Sequence, residues 1–186
     1  MAACRQEAPE LRQEIVNSAL DLINRSGDSL LWENSAIVSG LVGLAESPVS
    51  DDKIRQLSRK LSTKLDPSNL TFTEQIDSIW SLCALQLYDT KALESLIKNL
   101  NGLNFERLDN ELRYEEYMKM LDIHNALKIE APKHLQITNQ GLLTGLNGPE
   151  LYMSVRYEEH LTRYDPFKQR VVQALAKGLT NASIEH

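Results

Sequence analysis

The chain has 186 residues, with 26 acidic against 20 basic side chains and a formal charge of −6. That balance excludes nucleic-acid binding driven by net charge, though not by a local basic face. No apolar run approaches the roughly 20 residues that cross a bilayer, and the length suits one domain with a core or a short repeat array.

In chain order, Pro9 to Arg25 places Ile15, Ala19, Leu22 and Ile23 on one side of a helix, with Gly27 as its stop. Trp32 to Glu46 follows, rich in small residues (Ser35, Ala36, Ser39, Gly40, Gly43, Ala45) that permit close approach of another helix. Its two glycines each cost about 1 kcal/mol relative to alanine, which packing is expected to offset. Ser50 is the expected cap of a helix opening with Asp51 and Asp52 and striped by Ile54, Leu57, Leu61 and Leu65.

Asp66-Pro67-Ser68-Asn69 reads as a turn, and Thr71-Phe72-Thr73-Glu74 has capping-box spacing. The helix it opens carries Ile76, Ile79, Trp80, Cys83 and Leu87 on one face, with Leu82 and Leu85 on another, so it is expected between neighbours. Asp89 is the expected cap of a helix bearing Leu93, Leu96, Ile97 and Leu100 before Gly102.

A long helix is predicted over 109–131, with Tyr114, Tyr117, Met118, Leu121, Ile123, Leu127 and Ile129 as its apolar set and Pro132 at its end. Lys133 to Leu146 is polar and glycine-containing, a loop with short elements. Prolines at first helical positions then open helices from Pro149 through Leu161 and from Pro166, with Phe167, Val171, Val172, Leu175 and Leu179. The last six residues form a tail.

The four middle helices read as two copies of one unit. Leu41-Val42-Gly43-Leu44 matches Leu82-Cys83-Ala84-Leu85 at an offset of 41, and Ile54, Leu57 and Leu61 match Leu93, Leu96 and Leu100 at 39. A period near 40 is a helical-repeat signature. The expected fold is therefore all-α, antiparallel helical hairpins stacked as a short α-solenoid-like array. Its expected parts are an N-terminal helix (1–30), two hairpin repeats (31–105), a C-terminal helical segment (106–180) and the tail (181–186).

The segment Phe72-Thr73-Glu74-Gln75-Ile76-Asp77-Ser78-Ile79-Trp80-Ser81-Leu82-Cys83-Ala84-Leu85-Gln86-Leu87-Tyr88-Asp89 resembles the leucine-rich repeats of the FAST kinase domain-containing proteins. The string Y-M-K-M-L-D-I-H-N-A-L-K-I-E-A-P, Tyr117 to Pro132, is similar to that family's second conserved helix. Tyr164-Asp165-Pro166-Phe167-Lys168 with Val171-Val172-Gln173-Ala174-Leu175 resembles the helix leading toward the family's RAP domain. The likeness spans about residues 35 to 180. It implies a helical repeat array in the mitochondrial matrix, acting on mitochondrial RNA in processing, stability or translation beside other proteins of that metabolism, with no DNA partner. The chain ends where a RAP domain would begin and shows no import segment, so a fragment or short isoform is implied, with any RAP-seated activity absent.

No catalytic, cofactor or metal site is expected. The Gly-rich loop, lysine and paired aspartates that a kinase needs are not present. Gly40-x-x-Gly43 lacks the following Lys-Ser/Thr of a phosphate loop and reads as a packing contact, and Gly145-x-x-Gly148 as a turn. His124, His134, His160 and His186 have no ligand spacing, and Cys4 and Cys83 are isolated thiols suited to a reducing compartment. His124 reads as half-buried and Cys83 as core. Glu115, Glu116, Glu158 and Glu159 read as solvated faces, and Glu130 as a cap or a partner of Lys128 or Lys133.

One feature suits RNA. Residues 51–65 carry Lys53, Arg55, Arg59, Lys60 and Lys64 against Asp51 and Asp52, a local charge of +3. Lys53, Lys60 and Lys64 share one helix face, and Arg55 and Arg59 form a second row. Tyr114 and Tyr117 are either stacking platforms for bases or core. The leading expectation is a non-catalytic RNA-contacting module. The alternative is a protein–protein scaffold with no RNA contact.

Overall fold

The computed structural model describes residues 9–26, 32–47, 52–104 and 114–147. These form seven α-helices: α1 (Pro9–Ser26), α2 (Asn34–Ala45), α3 (Asp52–Lys64), α4 (Phe72–Ala84), α5 (Lys91–Asn101), α6 (Tyr114–Ile129) and α7 (Gln140–Asn147), with a 3-10 turn at Pro67–Asn69. No strand occurs among the described residues. The expected helices from Pro149 and Pro166, the Ser50 cap and the tail lie outside them.

The all-α expectation holds, and the helices stack as hairpins in two layers. In one layer α2 packs on α4 and α4 on α6; in the other α1 packs on α3, and α3 touches α5. Hairpin contacts join α2 to α3, α4 to α5 and α6 to α7. Within a layer the helices run parallel, as their cross-links advance together: Asn17 with Lys53 and Asn24 with Lys60 in one, Thr73 with Glu116 and Trp80 with Asp122 in the other.

Local sequence explains the starts and stops. Thr71 and Glu74 form the expected capping box, each side chain bonding the other's backbone N–H. The Asp66 carboxylate accepts from Ser68 N at 3.0 Å, Ser68 Oγ at 2.6 Å and Asn69 Nδ2 at 2.8 Å, closing the turn before α4. Those bonds, Ser68's first, hold its pKa below the ordinary carboxylate value. Helix α4 ends in a Schellman arrangement, with Leu87 N donating to Leu82 O at 2.8 Å and Gln86 N to Cys83 O at 3.0 Å. Gln86 sits there at φ +57°, where glycine is the usual residue. Asp89 does not cap α5; Thr90 holds that position without a side-chain bond, and Asp89 pairs with Arg59 instead.

The structural repeat is tighter than the sequence match. The caps Glu33 and Thr71 are 38 residues apart, and the starts of α3 and α5 are 39 apart. Leu41 thus corresponds to Ile79 and Ala45 to Cys83, all buried, while the tetrapeptide match at 41 slips by nearly a helical turn. Ile54, Leu57 and Leu61 occupy the same buried position in the first hairpin as Leu93, Leu96 and Leu100 in the second. One core runs from Val16 to Leu146, and each fully buried Leu or Ile contributes roughly 1.5–3 kcal/mol.

Three further expectations change. Ile129 is 79% exposed, and Met120, absent from the expected apolar set, is 1% exposed. Residues 133–139 form the expected loop and α7 the short element after it, but the segment is not a polar surface loop: Leu135, Ile137, Leu142 and Leu146 are buried, and α7 pairs with α6 as a third hairpin. Polar spacing and glycine masked that hairpin, whose helix is only 8 residues long. Of the Gly40-x-x-Gly43 pair only Gly40 packs closely: a methyl group there would lie 3.5 Å from Leu61 Cδ1, whereas one on Gly43 would meet no described atom within 4 Å.

Candidate nucleic-acid interface

The interface is built on α3. Its apolar stripe, Ile54, Leu57 and Leu61, faces the core beside the buried Ser58 and Ser62, whose hydroxyls donate back to the carbonyls of Ile54 and Arg59 at 2.8 Å. That leaves the five cations on the two flanks of the helix, divided as their spacing predicts.

On one flank Lys53 Nζ donates to Asn17 Oδ1 at 2.9 Å, and Lys60 Nζ donates to Asn24 Oδ1. The two lysines and the two asparagines have the same seven-residue spacing, so α1 holds a row of ammonium groups in register. Asparagine is neutral, and these bonds orient the lysines without cancelling their charge. Lys64 stands half-buried in the last turn, where the helix dipole favours a cation.

On the other flank Arg55 and Arg59 are engaged differently. Arg59 Nη1 meets Asp89 Oδ2 at 2.6 Å, with the two side chains 49% and 62% exposed. The Arg59 bond draws the Asp89 pKa below the ordinary carboxylate value. Arg55 Nη2 donates to Gln86 Oε1 at 3.3 Å, and its Nε is buried without a hydrogen-bond partner. Gln86 Nε2 in turn donates to Glu130 Oε2 at 3.3 Å, which also accepts from Tyr88 Oη at 2.8 Å. Arg55 and Arg59 therefore tie α3 to the end of the second hairpin.

Between α3 and α5 lies a cleft of about 530 Å³ in which Arg59, Asp89, Ser62, Thr63, Thr90 and Lys91 stand among apolar neighbours. Sequence reading named Arg59 but missed Lys91 and the hydroxyls. Lys91 falls on the next hairpin, and only the stacking of α3 beside α5 brings it to the same wall.

The other candidates resolve into structure. Tyr117 is 4% exposed, a core residue, with its hydroxyl 3.5 Å from Leu146 O. The Tyr114 side chain lies outside the description. Trp80 is 6% exposed, its Nε1 donates to Asp122 Oδ2 at 3.2 Å, and Lys119 lies 5.6 Å over its ring while pairing with Asp77. Glu116 is not on a solvated face: it is 6% exposed and accepts from Thr73 Oγ1 at 2.6 Å. Glu130 binds Tyr88 and Gln86, across a layer, where Lys128 or Lys133 was expected. His124 is half-buried, and burial, then the charge of Lys128, lowers its pKa from the ordinary imidazole value. Cys83 is fully buried. No group of three or more His, Cys, Asp or Glu with metal-binding geometry occurs among the described residues, and no described helix is long and apolar enough to cross a membrane.

Comparison of the chain with family models, curated proteins and solved structures gives no match.

Proposed function

We propose that this chain is a non-catalytic helical module that contacts single-stranded RNA through the layer formed by α1, α3 and α5. Its place, from the resemblance of the Tyr117–Pro132 string, is the mitochondrial matrix, in transcript processing, stability or translation. The observation that carries the reading is the lysine row: Lys53 and Lys60 are held in register by neutral asparagines and keep their charge. Cations seven residues apart lie about 10.5 Å apart along a helix, a spacing that long lysine side chains can match to every second phosphate of a single strand. The neighbouring cleft adds Lys91 and hydroxyls that suit ribose and phosphate oxygens.

The mechanism is positioning. Stacked hairpins keep the row rigid, and counterion release supplies affinity without a bond being made or broken. The test is the salt slope of binding to single-stranded RNA by the whole chain. Lys53→Ala/Lys60→Ala/Lys64→Ala lowers the slope by about two units in the log–log plot, at roughly 0.7 per phosphate contact. Binding that is absent, or insensitive to salt, sinks the reading.

A second reading, a protein–protein scaffold, is favoured by one observation: an open apolar cleft at the α1 end of the array. Lysate partners that bind with a flat salt response would favour it.

A further inference from the structure

Among the described residues the α1 end of the array is unfinished. Each of α4 and α6 has an earlier helix of its own layer on one side, but among the described residues α2 has none. Helix α1 packs on α3 and leaves a furrow between itself and α2. The furrow is a cleft of about 480 Å³ walled by Val16, Ala19 and Ile23 of α1 and Ala36, Gly40 and Gly43 of α2, and floored by Ile54, Leu57 and Leu61. Ile15 on its lip is 60% exposed, and Leu22 beyond it 50%. Terminal units of repeat arrays present a polar outer face; this one presents aliphatic side chains and a wall of small residues. The wall explains the glycines: no described residue fills the space beside Gly43.

Charge gives the occupant's chemistry. Glu33 and Glu46 mark the two ends of α2, and no basic residue stands in its last turn. The negative end of the helix dipole therefore adds to the Glu46 carboxylate at one mouth of the furrow. A fitting guest is a helix with an aliphatic ridge, flanking cations and no carboxylates.

The chain itself contains such a segment. Residues 166–179 read Pro-Phe-Lys-Gln-Arg-Val-Val-Gln-Ala-Leu-Ala-Lys-Gly-Leu, with Phe167, Val171, Leu175 and Leu179 four apart, three cations and no acid. We propose that residues 166–179 dock as a helix in the furrow between α1 and α2 of their own chain and complete the layer of α2, α4 and α6. The tether is long enough even with the helix expected over 149–161: 13 helical residues span about 20 Å and the other five of the 18 between Asn147 and Pro166 add about 17 Å. From α6 past α4 and α2 to the furrow is three helix spacings, about 24–30 Å. The inference stands independently of the RNA reading.

The experiment is hydrogen exchange on the full chain, read by segment, at two concentrations. Val171→Asp/Leu175→Asp strips the guest's ridge and is expected to raise exchange in 15–23 and 36–47 by about ten-fold or more, while 91–101 stays unchanged. Gly43→Leu fills the furrow from a site with room for it, and is expected to raise exchange in 166–179 with the same control unchanged. If neither variant alters its target segment, the proposal falls. If protection of 166–179 fades on dilution while sedimentation shows a dimer dissociating, the occupant is a second copy and the intrachain proposal falls. Protection that is independent of concentration and lost in both variants upholds it.

Discussion

The seam between α4 and α6 and the furrow between α1 and α2 lie in the same array and are built in opposite ways. The seam is closed by large and polar side chains in register: Thr73 with Glu116, Asp77 with Lys119, Trp80 with Asp122, Tyr88 with Glu130. The furrow has small residues and no such ladder among the described residues. Large side chains with paired polar tips lock two helices at one register. Alanine and glycine leave room for a guest instead.

Three substitutions probe that contrast. The largest effect belongs to the closed part: Leu93→Ala, at a fully buried position, lowers unfolding free energy by about 2–5 kcal/mol in urea titration. A loss below 1 kcal/mol would mean that the second hairpin is not packed as described. Glu116→Ala removes the buried acceptor of the Thr73 hydroxyl, a loss of about 1–3 kcal/mol. A neutral result would place that carboxylate in water. Gly43→Ala acts in the other direction. With nothing near the added methyl, thermal melts should show a gain of up to about 1 kcal/mol from helix propensity. A loss would show that the site is tightly filled.

The smallest effects are in pH. Asp89 has its pKa lowered by Arg59, so its stabilisation is present above the unfolded carboxylate value and is lost as pH falls through the folded one. Asp89→Asn should flatten the acid limb slightly, by well under 1 kcal/mol for so exposed a pair. His124 has its pKa lowered by burial and Lys128. The unfolded chain then binds more protons below the ordinary imidazole value of 6.5, and stability falls as pH drops through that value toward the folded pKa. His124→Gln removes that slope, and an unchanged stability profile from pH 7 to 5 would refute the assignment.

Much of the candidate interface was legible. Lys53 and Lys60 share a face because helical period is a local property, and their spacing placed them together before any neighbour was known. Their asparagine partners were not legible, since Asn17 and Asn24 lie 36 residues earlier. Arg59 was read as a phosphate contact, and the structure pairs it with an aspartate that had been assigned to capping. A residue able to cap or to pair takes the role its neighbour offers, and that neighbour is fixed only by stacking. Helix α7 was read only as a short element because its few apolar residues carry too little periodicity to stand out from a polar loop.

The amino-acid order alone determined that the chain is helical, where most of its helices begin and end, and which stripe of α3 and α5 is apolar. Those features depend on residues within one or two turns of each other. The tertiary structure alone decided that Glu116 is buried and Ile129 exposed, that Lys91 joins Arg59 in one cleft, and that Gly40 packs on Leu61 while Gly43 meets no described neighbour. Each depends on which helix lies alongside, through cross-helix partners 30 to 44 residues apart, a separation at which side-chain pattern carries no record of the neighbour.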